Sequence, residues 1–472
     1  NIVFTIGDIA TVPAAYADGI YTATYPPTAI GTYVVSVAEE GADGFVVSTA
    51  TITISRSLTD LANLIANDED GIIDLDGDYA YIEEFDSAIV NGITIDKAIT
   101  INGNNKVING SDLARLFKVE SAGTLTLNDV TIANGNADKG GAIYSEGNVV
   151  IADSVFENNK AAGCTYAVSR EDCTGGAAIY AAPGSSLTVS GTTFKSNSAP
   201  HEAEVFSAGG AIYVNNAAVL VDDCTFEDNS AVYGGAIMFE NFNQNTVAIK
   251  DSVFTNNSAW QGGAINGNDL VGSLIITGSN FTENKAVTPN AGQSQPTGGA
   301  IMIGSKSYTG VALDVEGCNF VENDGGYMGG AIASSPDNII VVADSNFTNN
   351  SASVLGGAIV TGTGTDLTVS GSNFTDNKVS DTGMGGAIFC EPNSKNTISG
   401  STFTNNVDRY PAAIMSYQGT LDLSGNTFTG PTIFNYAGEI TSTVYATLIG
   451  GQNITAALGD EVTPTALCCY FD

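Results

Sequence analysis

The sequence predicts an all-β protein whose main body is a right-handed parallel β-helix of about twelve coils. Three observations lead to this prediction. A Phe-x-x-Asn unit occurs nine times at a regular period, and a Gly-Gly-Ala-Ile motif occurs eight times. Successive phenylalanines of the unit lie as little as 27 residues apart, as from Phe254 to Phe281. Self-similarity at a fixed period of this length is the signature of a solenoid, in which each repeat contacts only its neighbours.

Each repeat places the same residue types at fixed positions. The Phe-x-x-Asn units are Phe156/Asn159, Phe194/Asn197, Phe226/Asn229, Phe254/Asn257, Phe281/Asn284, Phe320/Asn323, Phe347/Asn350, Phe374/Asn377 and Phe403/Asn406. The Gly-Gly-Ala-Ile copies begin at Gly140, Gly209, Gly234, Gly262, Gly298, Gly329, Gly356 and Gly385, with a Gly-Gly-Ala-Ala-Ile variant at Gly175. We expect each Phe to point inward and stack on its equivalent in the next coil, and each Asn to form an amide ladder at a turn. The paired glycines suit a tight corner that has no room for a Cβ.

A repeat has room for three short strands separated by turns. In one unit these are residues 252–254, which end in the Phe, residues 264–265, and residues 273–277, which alternate between apolar and polar side chains. Three strands and three turns in about 27 residues fit one coil of a β-helix. Because neighbouring strands lie about 4.8 Å apart, about twelve coils predict a rod on the order of 60 Å long.

The β-helix is predicted to span residues 71–435, after a capping helix and turn at residues 57–70. Ser57 and Asp60 have the spacing of a capping box, and an apolar stripe follows them, which predicts a short helix over residues 58–66. Such a helix would close the first coil. Without it, the open edge of the sheet would be free to pair with other chains.

Both flanks lack the repeat and predict β-strands of another kind. Alternating runs occupy positions 2–6, 19–25, 32–37 and 49–54 within residues 1–56, and positions 440–448, 453–458 and 461–470 within residues 436–472. Each flank alone is too short for an immunoglobulin-like sandwich of about 100 residues, but the two together approach that length. We therefore interpret the first flank as the C-terminal part of such a sandwich and the second flank as its N-terminal strands.

The two flanks would lie at opposite ends of the rod, so they do not easily complete each other within one chain. One hypothesis is that residues 461–470 of one copy complete the sandwich of the next, with Val462, Thr465, Leu467 and Cys469 in the assembly strand. This head-to-tail contact between copies does not close on itself and would build a filament. The alternative is that the chain is one unit of a longer tandem array, cut inside a sandwich.

The charge balance excludes several classes of partner. The chain has 51 acidic and 15 basic residues, for a net charge of −36. Such acidity argues against binding nucleic acid or anionic lipid. The sequence has no apolar run of about 18 residues and so predicts no membrane insertion. These features are compatible with a soluble surface protein that binds divalent cations.

An acidic segment with glycine turns follows the predicted capping helix. Its carboxylates include Asp70, Asp74, Asp76 and Asp78, and we interpret them as a calcium site because oxygen-rich loops suit that cation. Their spacing does not match the helix–loop–helix calcium site. The alternative is a solvated acidic turn, and no other cofactor is predicted.

The cysteines divide into two kinds. Cys164 and Cys173 lie in one insertion, and we predict that they form a disulfide. Cys224 and Cys318 both lie two residues before a core Phe but three repeats apart, which is too far for a disulfide. We expect these two and Cys390 to be buried thiols.

Three sequons occupy one position of the repeat. Asn280, Asn346 and Asn373 each stand just before a core Phe and should therefore point outward. We predict them as N-glycosylation sites if the chain passes through a secretory pathway.

Taken together, the two repeat motifs resemble those of the polymorphic outer membrane proteins of chlamydiae. The closer likeness is to the adhesin-like surface proteins of methanogenic archaea, which combine such β-helices with immunoglobulin-like repeats. Residues 93–104 and 115–117 look like the opening coils of that family, and residues 31–37 look like part of its sandwich modules. The resemblance covers nearly the whole chain. It implies extracellular display at the cell surface in adhesion or envelope structure, with cell-surface glycans as further partners.

Right-handed parallel β-helices also include pectate lyases, polygalacturonases and tailspike glycosidases, so the fold alone does not decide the function. The chain has a single histidine, His201, in an insertion, and no cluster of Arg with acids recurs on adjacent coils. Asp222, Asp223 and Asp251 follow a turn preference, which accounts for them without a catalytic carboxylate pair. We therefore predict a protein that is not an enzyme, with a polysaccharide lyase or glycoside hydrolase as the alternative.

A glycan-binding module is the second alternative. Trp260, Tyr233, Tyr327 and Leu355 fall near equivalent positions of their repeats and would form an apolar stripe on one edge of the rod. Such a stripe suits a glycan or a partner rod. Ordinary packing beneath an insertion explains it as well, and the sequence leaves both explanations open.

Overall fold

The computed structural model describes residues 2–449, except 9, 19, 24–30, 40–45, 55, 163, 166–174, 201–204, 241–246, 269–271, 289–294, 305–310, 411, 437–439 and 442–446. Its main body is a right-handed parallel β-helix of about twelve turns, which confirms the predicted fold class. Each coil contributes one strand to each of three long faces. We name these faces the Ile sheet, the Leu sheet and the Phe sheet, after the residue type that each turns toward the interior.

The Ile sheet contains 13 parallel strands. They are Ile93–Ile95, Phe117–Val119, Ile143–Ser145, Ile179–Ala181, Ile212–Asn215, Ile237–Glu240, Ile265–Asn268, Ile301–Ile303, Ile332–Ser334, Ile359–Thr361, Ile388–Cys390, Ala412–Tyr417 and Thr432–Tyr436. The Gly-Gly-Ala-Ile motif leads into these strands because the first glycine makes a corner. Gly262 has φ +64°, and a Cβ there would lie 2.0 Å from the carbonyl oxygen of Ile265.

The Leu and Phe sheets share two long strands, Ala98–Asn109 and Thr124–Ala133, which bend from one face to the other. The other strands of the Leu sheet are Ile72–Asp74, Asn148–Ala152, Ser186–Ser190, Ala218–Asp222, Val247–Lys250, Leu274–Thr277, Val311–Glu316, Ile339–Ala343, Asp366–Ser370, Lys395–Ser399, Thr420–Ser424 and Ile440–Thr441. Those of the Phe sheet are Arg56–Ser57, Tyr79–Ala80, Val155–Glu157, Thr193–Lys195, Thr225–Glu227, Val253–Thr255, Asn280–Thr282, Asn319–Val321, Asn346–Thr348, Asn373–Thr375, Thr402–Thr404, Thr427–Thr429 and Thr447–Ile449. Two-residue strands at the corners are Asn136–Ala137, Lys160–Ala161, Ser258–Ala259, Lys285–Ala286, Ser351–Ala352 and Lys378–Val379. Cys164–Thr165 and Val205–Phe206 form a separate antiparallel pair.

A column of phenylalanine rings forms the centre of the Phe sheet. The rings from Phe156 to Phe428 stack face to face, with neighbouring centroids 4.7–5.1 Å apart. From Phe156 to Phe403 the side chains are fully buried. The stack includes Phe428, which lacks the Asn three residues later. The spacing of the rings is that of neighbouring β-strands, so one aromatic residue per coil fills this part of the core.

The asparagines of the repeat form a buried amide ladder at the corner that follows each Phe. Its nine members are Asn159, Asn197, Asn229, Asn257, Asn284, Asn323, Asn350, Asn377 and Asn406, all fully buried. In every coil from Asn159 to Asn377, the Oδ1 of the next Asn accepts both the backbone N–H and the Nδ2 of the preceding one. From Asn197 onward, the second Nδ2 hydrogen binds the carbonyl of the preceding coil's Phe, as from Asn284 to Phe254 at 2.9 Å. Asn159 binds the carbonyl of Ile132 instead, at 3.1 Å. Both donors of each of these amides are used, which is what burial of a polar group requires.

The amide ladder ends at Asn406. Its Oδ1 accepts both hydrogen bonds from Asn377, and its Nδ2 donates to the carbonyl of Phe374 at 2.9 Å. The next repeat position is occupied by Pro431, which has no side-chain amide. Asn406 therefore departs from the expectation that each Asn pairs with its own kind on both sides.

A second buried ladder lies two residues before each Phe, where the residue is Ser, Thr or Cys. The hydroxyl donates to the carbonyl two residues earlier and accepts the backbone N–H of the preceding coil. For example, Ser345 accepts from Cys318 N at 3.1 Å and donates to Ala343 O at 2.8 Å. Cys318 takes the same place with its thiol, which accepts from Ser279 N at 3.4 Å and donates to Glu316 O at 3.3 Å.

The first coil is closed by the helix Leu58–Asn67. Ser57 and Asp60 form a reciprocal capping box, as the sequence predicts. The fully buried Asp86 accepts the backbone N–H groups of Leu58 and Thr59 at 3.1 and 2.8 Å, which satisfies two more donors of the helix N-terminus. Asp86 itself ends the short helix Glu83–Asp86, which precedes the 3₁₀ turn Ser87–Ile89.

The N-terminal flank contains a four-stranded antiparallel sheet. Its strand order is Ala10–Pro13, Ile2–Ile6, Gly31–Glu39 and Val46–Ile54. The predicted strand at 19–25 is not part of this sheet. Instead, Ile20–Thr22 pairs with Ala15–Ala17 in a separate two-stranded ribbon, and Ala10–Pro13 takes the fourth place. Whether this sheet belongs to an immunoglobulin-like sandwich stays a prediction.

The C-terminal flank begins with a further coil of the β-helix. Ile440–Thr441 pairs in parallel with Thr420–Ser424, and Thr447–Ile449 pairs in parallel with Thr427–Thr429. The interpretation of residues 440–448 as a sandwich strand was therefore wrong, and the β-helix does not end at residue 435. Alternating apolar residues are typical of sandwich strands and of β-helix strands. The parallel register that aligns Leu448 with Phe428 identifies this segment as part of a coil.

Candidate functional site

The outer surface of the Phe sheet carries a second amide ladder, which is half-buried at Asn280 and Asn319 and exposed at Asn346 and Asn373. Asn319 donates to Asn280 at 2.8 Å, Asn346 donates to Asn319 at 2.8 Å, and Asn373 donates to Asn346 at 2.9 Å, each from Nδ2 to Oδ1. These residues face outward because each immediately precedes an inward Phe. The sequons predicted the outward direction of three of them, but not the ladder, whose fourth member Asn319 is not in a sequon.

The asparagines of the repeat, in contrast, offer no surface to a ligand. The sequence places them at a turn, where polar side chains are usually solvated, but the structure turns them inward with no solvent exposure. The Phe carbonyls at the corner need donors inside the rod, and these amides supply them. One Nδ2 hydrogen binds a Phe carbonyl and the other binds the Oδ1 of the next Asn in Asn197, Asn229, Asn323 and Asn350. The Nδ2 of Asn406 also binds a Phe carbonyl. The contacts therefore give these residues a structural role.

The predicted glycosylation sites are accessible to different degrees. Asn346 and Asn373 are exposed, whereas Asn280 is half-buried. In Asn346 and Asn373 one Nδ2 hydrogen is used within the outer ladder. Glycosylation of the three sites stays a prediction.

The four aspartates predicted to hold calcium do not form one cluster. Asp74 accepts from Asn102 at 2.8 Å, Asp76 pairs with Arg56 at 2.9 Å, and Asp78 accepts from the backbone of Val107 at 2.9 Å. The pairing with Arg56 lowers the pKa of Asp76 below its ordinary value. Across residues 2–449, outside the gaps given above, no three His, Cys, Asp or Glu side chains are placed to hold a metal ion.

The predicted calcium site at Asp70, Asp74, Asp76 and Asp78 is therefore wrong for this structure. The strands between these residues direct their carboxylates to different partners. The glycine turn at this place is fixed by Asp68, which accepts from the backbone of Asp70 and Gly71 at 3.0 and 2.6 Å.

Three cysteines are buried and unpaired in the part of the chain that the structure describes: Cys224, Cys318 and Cys390. Burial raises the pKa of Cys224 and Cys318 to about 11, and that of Cys390 to about 12. At neutral pH these groups are thiols and therefore poor nucleophiles. The predicted disulfide cannot be placed, because Cys173 and the side chain of Cys164 lie outside the described residues.

The aromatic stripe is a packed layer outside the Ile sheet. Tyr233 and Leu355 are buried, and Trp260 packs edge-on against Tyr233 with ring centroids 5.7 Å apart. These residues cover outward side chains of the Ile sheet, such as Met238 and Val360, which are also buried. Packing therefore accounts for the stripe.

Two buried carboxyl groups lie near the C-terminal end of the rod. Asp408 accepts three backbone N–H groups, from Gly385, Tyr410 and Ala412, at 2.7–2.8 Å. Glu391 accepts from the hydroxyl of Thr363 at 2.8 Å. Burial raises the pKa of both carboxyl groups above the ordinary value. Asp408 binds its own turn through Tyr410 and Ala412, and the bonds from Gly385 and Thr363 come from the preceding coil. The contacts thus join backbone and side chains of neighbouring coils and indicate a structural role.

An interior corner of the same coils contains polar side chains. Asn396 lies in the inward row between Leu367 and Leu421, where neighbouring coils have aliphatic residues. Its Nδ2 donates to Ser394 Oγ at 2.8 Å and to Thr420 O at 3.1 Å. Its Oδ1 is buried and has no hydrogen-bond partner among the described residues, and the same holds for Asn338 Oδ1.

Several predicted site residues lie outside the described residues. These are Cys173 and the assembly residues Val462, Thr465, Leu467 and Cys469. Sequence reasoning missed the hydroxyl ladder and the outer amide ladder. The signal for the first was available, because a Ser, Thr or Cys stands two residues before each repeat Phe from Phe156 to Phe403.

Two sequence models of known families match parts of the chain. A right-handed β-helix region matches residues 167–311, and the repeat of Chlamydia polymorphic membrane proteins matches residues 344–362. The second match covers part of one coil, from the turn before Phe347 through the following Gly-Gly-Ala-Ile motif. No curated protein sequence matches this chain.

Several solved structures are similar to this chain. A double mutant of the periplasmic alginate epimerase AlgG is 12% identical, with a TM-score of 0.37 over 74% of this chain and 66% of the epimerase. Tailspike protein 3 of bacteriophage CBA120 is 14% identical, with a TM-score of 0.41 over 89% of this chain and 66% of the tailspike. A mannuronic acid-specific polysaccharide family 6 lyase from human gut microbiota is 11% identical, with a TM-score of 0.28 over 78% of this chain and 91% of the lyase. The chain thus spans just under two thirds of the first two proteins, and the likeness is one of fold alone.

Within the described part of the chain, no helix combines the length and apolar character needed to cross a membrane.

Proposed function

We propose that this chain is an adhesin-like structural module of an extracellular surface protein, and that copies join head to tail. The observation that carries the proposal is the continuity of the two buried ladders and the Phe stack through successive coils. A solenoid of this kind is a stiff spacer whose stability is distributed along its length. The match to a chlamydial membrane-protein repeat supports a place at the cell surface.

The N-terminal sheet supplies a candidate acceptor for assembly. Val46–Ile54 pairs only with Gly31–Glu39 among the described residues, so the outer edge of this nine-residue strand is open. An extended segment can add to such an edge through main-chain hydrogen bonds. We propose residues 461–470 of a neighbouring copy as that segment, with Leu467 on the face that packs.

Deletion of residues 459–472 tests this assembly. Filaments of the 472-residue chain should be visible by electron microscopy. The shortened chain should be monomeric by light scattering, and its far-UV circular dichroism spectrum should remain that of a folded β-helix. Leu467→Asp should weaken assembly more than Ala466→Asp, because neighbouring residues of a strand face opposite sides. Filaments from the shortened chain under reducing conditions would refute strand completion.

The tandem-array alternative gives a different result. If the full chain is monomeric, a peptide of residues 459–472 should still bind the shortened chain when added separately. Failure of both filament formation and peptide binding would rule out the open edge as an acceptor.

We also expect no turnover of polysaccharides. The measurement is the release of unsaturated or reducing ends from neutral and acidic polysaccharides. Release that is lost on replacing a single carboxylate would instead support a lyase or a hydrolase.

A further inference from the structure

We propose that the outer face of the Phe sheet binds a neutral, extended polysaccharide along the rod. The asparagine–threonine strip, as we name this face, consists of Asn280, Asn319, Asn346, Asn373, Thr348 and Thr375. The inference builds on the proposed surface role, but it does not depend on assembly between copies.

The strip repeats with the coil. Asn319, Asn346 and Asn373 are in register on neighbouring strands, and so are Thr348 and Thr375 two residues later. The Phe rings beneath these strands are 4.7 Å apart, which sets the distance between successive amides. Thr402 and Thr404 continue the strip in the next coil. A ligand that binds one coil can therefore make the same contact on the next, provided that it is itself an extended polymer.

The outer ladder leaves hydrogen-bonding capacity on its solvent side. An amide has two N–H donors and a carbonyl oxygen that accepts two hydrogen bonds. Asn346 uses one donor toward Asn319 and one acceptor position toward Asn373. One donor and one acceptor position of this exposed amide therefore face the solvent. This donor and acceptor can bind sugar hydroxyl groups, because a hydroxyl group both donates and accepts hydrogen bonds.

The charge pattern selects a neutral polymer. The strip has no ionisable residue, although the chain carries a net charge of −36. Glu283 and Glu322 lie three residues after Asn280 and Asn319, and Asp376 directly follows Thr375, so these acids border the strip at the next turn. A polyuronate or another anionic polymer would be repelled by this border, whereas a neutral polysaccharide would not.

The strip is a poor site for a protein partner. Protein interfaces depend on aromatic or arginine anchors that fill pockets. Here the aromatic residues, such as Phe347 and Phe374, point inward and are fully buried. The outward side chains are short and, except for Val321 between Thr282 and Thr348, polar, which favours a ligand bound by several equivalent hydrogen bonds.

Affinity electrophoresis of the full-length chain tests the proposal. The probes are soluble xyloglucan, mixed-linkage β-glucan and galactomannan as neutral polymers, with alginate and polygalacturonate as anionic ones. We expect retardation by at least one neutral polymer and by neither polyuronate. The double variant Asn346→Asp with Thr375→Asp should bind about tenfold more weakly, because it places charge within the strip.

The matched control is Thr368→Asp, at an exposed position on the Leu sheet, which should leave binding unchanged. Melting temperatures establish that each variant is folded, and Asn346→Ser provides an uncharged second variant. Equal binding of polyuronates, no binding of any neutral polymer, or an equal effect of the control would overturn the proposal. So would glycan occupancy at Asn346 or Asn373 in protein from its natural source, measured by peptide mass spectrometry, because the strip would then be covered.

The outcome is separable from that of assembly. Deletion of residues 459–472 should leave polysaccharide binding intact, and the strip variants should still form filaments. Loss of binding on that deletion would also contradict a site on the strip.

Discussion

The Oδ1 of Asn284 accepts two hydrogen bonds from Asn257 in the preceding coil. One comes from the backbone N–H at 3.0 Å and the other from Nδ2 at 3.0 Å. The remaining Nδ2 hydrogen of Asn257 binds the carbonyl of Phe226 at 2.9 Å. The three-residue offset between Phe and Asn therefore links the amide ladder to the aromatic stack in every coil from Asn197 to Asn406. This link explains why the two residues recur together.

Replacing Asn284 with Ala should be strongly destabilising. It would leave the backbone N–H of Asn257 and the carbonyl of Phe254 without their buried partners. Because each buried unsatisfied group costs about 1–3 kcal/mol, we expect the free energy of unfolding to fall by about 3 kcal/mol or more. Urea denaturation measures this change. Asn319→Ala, in the outer ladder, should change it by less than about 1 kcal/mol, and equal losses would contradict the distinction.

Replacing Phe281 with Ala should cost about 3–5 kcal/mol of unfolding free energy, since it opens a cavity in the stack. The ring lies between Phe254 and Phe320, with centroids 4.7 and 4.8 Å away. Phe85→Ala is the control, because that ring is 61% exposed. Denaturation curves for the two variants should differ clearly, and coincident curves would show that the stack is not a main source of stability.

The sequence alone predicted the stack and the ladder because each depends on one residue type at one place in every coil. Phe254 and Phe281 could be aligned without knowing the loops between them. The outer ladder was harder to predict, because Asn280 and Asn319 look like ordinary polar surface residues until the register is known.

Other features depend on information that is not local. Residues 440–448 alternate as a sandwich strand does, and only their pairing partners distinguish a further coil from a sandwich. No strand was predicted at 10–13, which ends in Pro13, and the structure places these residues at the edge of the sheet, where a proline is tolerated. The acidic segment near Asp74 and Asp76 has the composition of a calcium loop, and its strands direct the carboxylates to Asn102 and Arg56.

Cys318 should tolerate Ser better than Val, although Val is the closer match in hydrophobicity. The thiol occupies a place in the hydroxyl ladder, where it accepts from Ser279 N and donates to Glu316 O. Ser can keep both bonds, so we expect a change of less than about 1 kcal/mol in unfolding free energy. Val removes the acceptor and should cost about 1–3 kcal/mol. Thermal unfolding of both variants measures the difference. A higher melting temperature for the Ser variant would support the ladder position, and a higher one for the Val variant would show that the site is simply apolar.

Replacing Asn396 with Leu should stabilise the protein. Asn396 interrupts an inward row between Leu367 and Leu421, and its Oδ1 is buried without a partner among the described residues. Leu would remove this group and add apolar contact, but it would also remove the Nδ2 donor of Ser394 Oγ and of the part-buried Thr420 O. Ser394 Oγ keeps its own bond to Glu391 O, so we expect a net gain of about 1 kcal/mol. Asn338→Leu is the comparison. Asn338 also has an unpartnered Oδ1, but its Nδ2 holds the turn through Ser335 O at 2.7 Å. Asn338→Leu should be less stable than the native chain. If both variants were more stable than the native chain, removal of a buried polar side chain would explain the gain, and the bond to the turn would not matter.

Replacing Glu391 with Gln should raise stability at neutral pH and have little effect at acid pH. Burial raises the pKa of Glu391 in the folded protein, whereas the unfolded chain has a value of about 4.3. A carboxyl group with a raised folded pKa contributes its full stability below the unfolded pKa, and this contribution is lost as the pH rises through the folded pKa. The native chain should therefore lose stability relative to the Gln variant as the pH rises above about 4 and through the raised folded pKa of Glu391. Melting temperatures across this range measure the difference, and Glu322→Gln, at an exposed position, controls for the general effect of removing one acid. A Glu391→Gln difference that does not grow with pH would show that ionisation of this carboxyl group does not limit stability.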